Sequence, residues 1–442
     1  MKRVFISLLA ALSIACAAKA ESVTLSREEC IAIALDSSPT VKVADIEVKR
    51  MQYAKREAQA GLYPTIDFQA AYQRSIELQT IRMDMGGQSQ ELKMGSDNTW
   101  NMGFNASLPL IAPTLWKSIN LSQTQILAAI ESSRASRLDL VNQINQAYYA
   151  LLLAVASKEV VQKNYDIATF NADLFKKKFD AGTASEYDVL RSQVQVKNIE
   201  PELLQADIAV KQCKLQLVVL MGVDYNLDIE PNVTLAQMQQ QMYGYALGAG
   251  IDLSQNSDLR SLDIQGKMLD QTVTLRKFAW IPTLGASINI NWLSLSNGSP
   301  FKNQNFNPYS NVGLALNVPI FSGGSKYYAL RQAQAQRNEL RLQRDNLVSA
   351  LHMQTDLAID NINRQARQIA SSEESVRQAE KAYQIMQKSF EIGAATYLDL
   401  RDSELANTSA KLAYYQAIYN YLCSASELDK LLGKETWKEP AK

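Results

Sequence analysis

The stretch WNMGFNASLPL, residues 100–110, decides how the rest of the chain is read. Trp100, Met102, Phe104, Ala106, Leu108 and Leu110 are apolar, and Asn101, Gly103, Asn105 and Ser107 between them are small or polar. Strict alternation over that length predicts a β-strand with one apolar face and one wet face. Three other stretches alternate in the same way. Ile66, Phe68, Ala70, Tyr72, Ile76 and Leu78 are interleaved with Thr65, Asp67, Gln69, Gln73, Ser75 and Glu77. Leu284, Ala286, Ile288, Ile290 and Trp292 alternate with Gly285, Ser287, Asn289 and Asn291. Val312, Leu314, Leu316, Val318 and Ile320 face away from Asn311, Gly313, Ala315 and Asn317. Between the members of each pair, 79–98 and 294–308 lack apolar periodicity and read as loops. Each half of the chain is therefore predicted to hold one hairpin, about 65–110 and about 283–320.

Four strands of this length suit a tilted membrane crossing. A soluble sandwich would need a second sheet to cover the apolar faces, and no further strands are evident. Four strands cannot close a barrel alone, since known barrels have eight or more, and an open sheet edge is not tolerated in lipid. Membrane insertion thus predicts oligomerisation, with several chains pooling their strands.

The remainder is helical in pattern. Leu140, Ile144, Tyr148, Leu151 and Val155 recur in steps of three and four within a stretch from about 113 to 178. A matching stretch, about 325–389, contains neither Pro nor Gly. Some 65 helical residues span roughly 100 Å, far more than a globular core needs, which points to a coiled coil or helical tube. Each long helix ends near a glycine, Gly182 or Gly393, and a returning helix follows at about 185–221 or 396–432. Pro201 falls inside the first returning helix, where a kink or break is expected.

The two halves repeat one another. Phe179-Asp180-Ala181-Gly182, then Ser185, Asp188 and Ser192, recur 211 residues later as Phe390-Glu391-Ile392-Gly393, then Thr396, Asp399 and Ser403. The same offset takes Leu220-Met221-Gly222 to Leu431-Leu432-Gly433. The repeats are placed at 22–230 and 232–433, each running helix, hairpin, long helix, turn and returning helix, with a tail at 434–442.

Composition narrows the function classes. Lys plus Arg and Asp plus Glu both number 45, so nothing points to nucleic acid. His352 is the one histidine, and Cys16, Cys30, Cys213 and Cys423 form no CxxC pair, which leaves no metal, cofactor or enzyme signature. Lys2 and Arg3, then VFISLLAALSIA, then Ala18-Lys19-Ala20 read as an export signal over 1–20, cut after Ala20. The alternative is a lipidated Cys16, although Ser13-Ile14-Ala15 lacks the usual leucine. No other segment is apolar for long enough to be a transmembrane helix.

With duplicated helices, paired strands and an export signal, the chain resembles the TolC-type outer-membrane efflux family over about 22–433. The resemblance rests on Val23-Thr24-Leu25 before Cys30-Ile31-Ala32-Ile33-Ala34-Leu35 at the opening of the first helix, Pro39, and GLYPTI at 61–66. It rests also on Val318-Pro319-Ile320-Phe321-Ser322-Gly323-Gly324 and on the F-x-x-G turn with its downstream Asp. It implies a mainly α fold with a small β part: a homotrimer whose twelve strands close one barrel in outer-membrane lipid. The helices would form a coiled-coil tube in the periplasm of a Gram-negative-type bacterium. It also implies a passive exit duct joined to an inner-membrane transporter through a periplasmic adaptor. Lipid would then meet Phe68, Tyr72, Trp100, Met102, Phe104, Ile288, Ile290, Trp292, Val312, Leu314 and Leu316.

In the family the tube narrows at the second-half turn, where acidic side chains form a ring, and Asp399 and Asp402 occupy the matching positions. Gly182, Thr183, Asp188, Gly393 and Thr396 would contact the adaptor. The basic residue some members carry after the turn glycine is replaced by Ala394 and Ala395, leaving Arg401 to pair at the tip. In the first-half turn Asp188 matches Asp399, but Arg191 takes the place of Asp402. A conduit for type I protein secretion would look the same in sequence. A structural coiled-coil envelope protein would leave the strands unexplained.

Overall fold

The structure is a computed structural model and describes residues 22–85, 88–239, 252–301 and 304–438. The expected signal segment 1–20, with Cys16, and the end of the tail lie outside the described residues. In chain order the elements are β1 (Ser22–Leu25), α1 (Arg27–Ser37), α2 (Pro39–Ala60), β2 (Thr65–Arg74), β3 (Gln79–Met85), β4 (Gln88–Met94) and β5 (Asn98–Ile111). Then come α3 (Pro113–Asp180), α4 (Glu186–Met221), β6 (Asp228–Pro231), α5 (Leu235–Gln239) and α6 (Ser257–Phe278). The chain finishes with β7 (Thr283–Ser296), β8 (Asn307–Asn317), α7 (Ser325–Glu391), α8 (Tyr397–Leu431) and a short 3-10 turn at Thr436–Lys438. No helix among the described residues is long and apolar enough to cross a membrane.

Two compact units form, and each draws on both sequence repeats. One runs up to Ile46 and adds Glu131–Ser261 and everything from Asp345 onward; the other comprises Glu47–Ile130 and Leu262–Arg344. In the first, Ile144, Tyr148 and Leu151 of α3 cluster with Leu217 and Met221 of α4, Ile362 of α7 and Ile418 of α8, all essentially buried. The stripe expected from steps of three and four in the sequence is thus the face that meets the core. The opening Val23-Thr24-Leu25 does not begin a helix. It forms β1, which pairs in parallel with β6, and the buried Tyr148 hydroxyl donates to the Leu25 carbonyl at 3.2 Å. The first helix starts only at Arg27, capped by Ser26 and Glu29 in a reciprocal box. Glu131, almost fully enclosed, lies between Arg134 at 3.0 Å and Arg260 at 3.2 Å, so its charge is matched rather than stranded. Cys30, Cys213 and Cys423 are free thiols, and burial pushes the Cys30 thiol up to about 12.

In the second unit β2, β5, β7 and β8 make one antiparallel sheet in the order β2-β5-β7-β8. Strand ends move from their expected places. The first strand stops at Arg74, with Ile76 fully exposed beyond it. The fourth stops at Asn317, because Pro319 has no N–H to continue the ladder. Residues expected to form a loop at 79–98 instead contain the hairpin β3–β4, its strands cross-linked by Arg82 and Glu91 at 2.6 Å. Another correction belongs to the first unit: α4 runs without a break through Pro201. Pro201 and Lys197 lie on an exposed face, so the carbonyl that loses its donor there is not orphaned in the core.

Candidate functional site: two helix turns and an amphipathic sheet

The turns come first. Before Gly182 the Gly182 N–H donates to Phe179 O at 2.8 Å and the Thr183 N–H to Lys178 O at 2.8 Å. Before Gly393 the Gly393 N–H donates to Phe390 O at 3.1 Å and the Ala394 N–H to Ser389 O at 2.8 Å. This is the Schellman pattern, which needs a left-handed residue after the helix. Gly182 has φ 76° and Gly393 φ 78°. Thr183 adds a side-chain bond to Lys178 O at 3.0 Å.

Each returning helix then opens on a capping box. Ser185 Oγ donates to Asp188 Oδ2 at 2.6 Å, and Thr396 Oγ1 donates to Asp399 Oδ2 at 2.6 Å. The Thr396 N–H reaches the same Asp399 oxygen at 3.0 Å, and the Asp399 N–H returns a bond to Thr396 Oγ1 at 3.2 Å. The hydrogen bonds from Thr396 hold the Asp399 carboxyl below the usual carboxylate range. Asp399 is therefore a helix cap, a role that the T-x-x-D spacing signalled and that the sequence reading passed over.

Asp402, one turn further on, is exposed and makes no ion pair among the described residues. Neither does the half-buried Arg401. A third carboxylate here was missed altogether: burial pushes Glu404 up to about 7, with Arg401 opposing. Tyr383 and Tyr397 both feel its charge. Its burial depends on neighbours brought in by folding, so no local pattern announces it.

Rings tie the second turn to α3. Phe175, itself buried, lies 4.9 Å from Tyr397 and 6.1 Å from Phe390 between centroids. Lys178 Nζ sits 5.3 Å from the Phe390 ring, and the Arg191 guanidinium 6.0 Å from that of Tyr397. Beside them is a cavity of about 480 Å3 lined by Phe170, Leu174, Tyr383, Phe390 and Leu400.

In the sheet, the apolar positions expected to share a face do so. Phe68 pairs with Phe104, Ala70 with Met102 and Tyr72 with Trp100. Met102 pairs with Trp292, Phe104 with Ile290, Ile288 with Val312, Ala286 with Leu314 and Leu284 with Leu316. Ring centroids are 5.0 Å apart for Phe68 and Phe104 and 4.5 Å for Tyr72 and Trp100. Within the chain this face has little cover: Phe68 is 57% exposed, Val312 76% and Leu314 71%. The opposite face is polar, with Thr65 bonded to Ser107 and Asn289 to Asn311, each at 2.8 Å. Gly103 belongs there of necessity, since a Cβ would collide with the Asn291 side chain and stand 2.6 Å from the Ile290 carbonyl.

A sheet with an apolar face uncovered on one side, a polar face on the other and two edge strands defines a class, that of membrane β-proteins. The family follows from comparison. Residues 30–223 and 251–434 match the family described as outer membrane efflux protein, and the chain belongs to that family. It is 21% identical over 387 residues to the outer membrane protein TolC of Vibrio cholerae, covering 86% of this chain and 84% of that protein. Over 306 residues it is 24% identical to the alkaline protease secretion protein AprF of Pseudomonas aeruginosa, 69% of this chain and 63% of that one. Its fold matches the CmeC outer membrane channel of Campylobacter jejuni with a TM-score of 0.73 at 17% identity, covering 94% of this chain and 90% of that one.

Proposed function

We propose that three copies of this chain close a twelve-stranded barrel in the outer membrane and that the assembly is a passive exit duct. A periplasmic adaptor would join it to an inner-membrane transporter. The observation that carries this reading is the four-stranded sheet, apolar and uncovered on one face, with β2 and β8 left as open edges. Lipid cannot accept such edges, and neighbouring copies are the natural source of the missing strands. Phe68, Tyr72, Trp100, Met102, Phe104, Ile288, Ile290, Trp292, Val312, Leu314 and Leu316 then face lipid, and the Asn and Ser rows line water.

In this reading the helix turns carry the constriction of the duct. Asp402 carries the acidic aperture, and Asp399 contributes only the carboxylate oxygen that its cap leaves free. Three copies set a ring of negative charge that favours cations. Arg401, without an ion pair among the described residues, pairs across to a neighbouring copy. Gly182, Thr183, Asp188, Gly393 and Thr396 present the surface an adaptor would grip. A duct for a secreted protein remains the second reading, because one relative is named for alkaline protease secretion.

Single-channel conductance in planar bilayers tests the proposal. The wild-type trimer should give small cation-selective currents, and Asp402→Asn should lower the selectivity more than Asp399→Asn does. Stable trimers without conductance under any applied potential would count against the duct. Conductance indifferent to both substitutions would remove the aperture from these turns.

A further inference from the structure

The foot of the sheet, where strands give way to helices, carries a charge pattern that the duct itself does not require. No Asp or Glu occurs from 98 to 130 or from 271 to 338. Those segments hold β5, β7, β8 and the adjoining ends of α3, α6 and α7. Lys117, Arg276, Lys277, Lys326 and Arg331 lie in them, next to where the strands begin and end. None of the five makes an ion pair among the described residues, whereas Arg337, further along α7, lies 3.5 Å from Asp270.

Three of these cations rest on aromatic rings. Lys117 Nζ is 4.7 Å from the centroid of Phe278. Lys326 Nζ is 5.9 Å from that of Trp280 and donates to the Ala279 carbonyl at 2.8 Å. The Arg331 guanidinium is 5.4 Å from that of Tyr327 and donates to its hydroxyl at 3.1 Å. Around them Trp116, Trp280 and Ile281 are each 40–45% exposed. Trp280 and Ile281 lie just before Pro282 and the start of β7, and Trp116 lies five residues after the end of β5. These are the two central strands of the sheet, so a neighbouring copy that pairs with the edge strands does not cover their ends.

We infer that this collar binds the headgroups of anionic phospholipids in the leaflet at the foot of the sheet. The inference rests on reading the sheet as membrane-spanning. Trp and Tyr rings settle at the boundary between hydrocarbon and headgroups. Lys and Arg stems lie along apolar surface while their charged ends reach the phosphates. Juxtamembrane cations draw anionic lipid, and here no carboxylate stands close enough in sequence to cancel them. Aromatic anchoring alone would not discriminate between headgroups. Five cations that make no ion pair among the described residues do.

The test is the lipid retained by purified trimer taken from nanodiscs of mixed phosphatidylethanolamine and phosphatidylglycerol, counted by native mass spectrometry. Phosphatidylglycerol should be enriched about fivefold or more over the bulk mixture. Lys117→Gln/Lys326→Gln/Arg331→Gln should return it to the bulk proportion while conductance shows that the barrel is intact. Lys117→Gln alone, with most of the collar kept, should lose part of the enrichment. An unselective wild type, or a triple variant as selective as the wild type, overturns the inference and leaves the duct standing. A chain that fails to enter nanodiscs as a conducting trimer overturns the membrane sheet, and the inference with it.

Discussion

The two helix turns use nearly the same backbone and differ in what they carry. Gly182 and Gly393 take the same left-handed conformation, and Ser185–Asp188 and Thr396–Asp399 make the same reciprocal cap. Phe390 packs into a ring cluster with Phe175 and Tyr397, but its repeat counterpart Phe179 is 44% exposed. Arg191 stands where the second turn has Asp402, and Gln193 where it has Glu404. Residues that recur in both turns hold the backbone, and residues that differ are free to do something else. On that basis Asp399 is primarily a cap, and Asp402 is the acid added by the second turn.

The largest expected break in the pairing is at the phenylalanines. Phe390→Ala should cost about 2–3 kcal/mol, somewhat less than a fully buried ring, and Phe179→Ala less than about 1 kcal/mol. Thermal melting of the detergent-solubilised protein measures both, and equal costs would show that the ring cluster does not hold the second turn. Next come the glycines. Nothing lies within 4 Å of a Cβ built at either Gly182 or Gly393, so alanine meets only backbone strain of about 1–2 kcal/mol at each. A marked inequality would mean that one turn has a neighbour contributed by another chain.

A subtler contrast is in pH. The folded-state pKa of Glu404 is raised, so the native state holds a proton that the unfolded chain has released, and stability falls as pH rises from the ordinary glutamate range through about 7. Glu404→Gln, which gives the second turn the residue of the first, should raise the melting temperature at about pH 8 and do little at about pH 5. A gain equal at both values would argue against a buried, titrating carboxyl. The smallest effect on stability belongs to the exchange Arg191→Asp/Asp402→Arg, about 0.5 kcal/mol, because Asp402 is exposed and Arg191 gives up only its contact with the Tyr397 ring. Its readout is ion selectivity, which should move from cations toward anions; unchanged selectivity would place the constriction elsewhere.

Much of this architecture could be read from the sequence because its signals are periodic and long. The alternation from Trp100 to Leu110 survives as one face of β5, and the glycines at 182 and 393 mark true helix ends. The hairpin β3–β4 was passed over because its apolar run, Ile81, Met83 and Met85, is brief and its partner strand is mostly polar. Val23-Thr24-Leu25 reads as easily into a helix as into a strand, and only the distant Asp228–Pro231 decides between them. Pro201, where a kink or break is expected, does not break α4, because a single missing N–H on an exposed face removes one bond among many. At the turns, spacing located Asp399 and Asp402 but not their different surroundings, and Glu404 could be recognised only from its burial.

The open edges of β2 and β8 have a kinetic consequence. If the sheet closes only with neighbouring copies, as proposed, a lone chain bearing two unpaired strands has no stable resting place in lipid, and insertion and association become one event. Its yield should then depend steeply on how many chains are present at once. A cell that exports this protein slowly would hold a standing pool of monomers whose edges are free to pair wrongly. Supply rate, as much as sequence, decides how many finished channels appear.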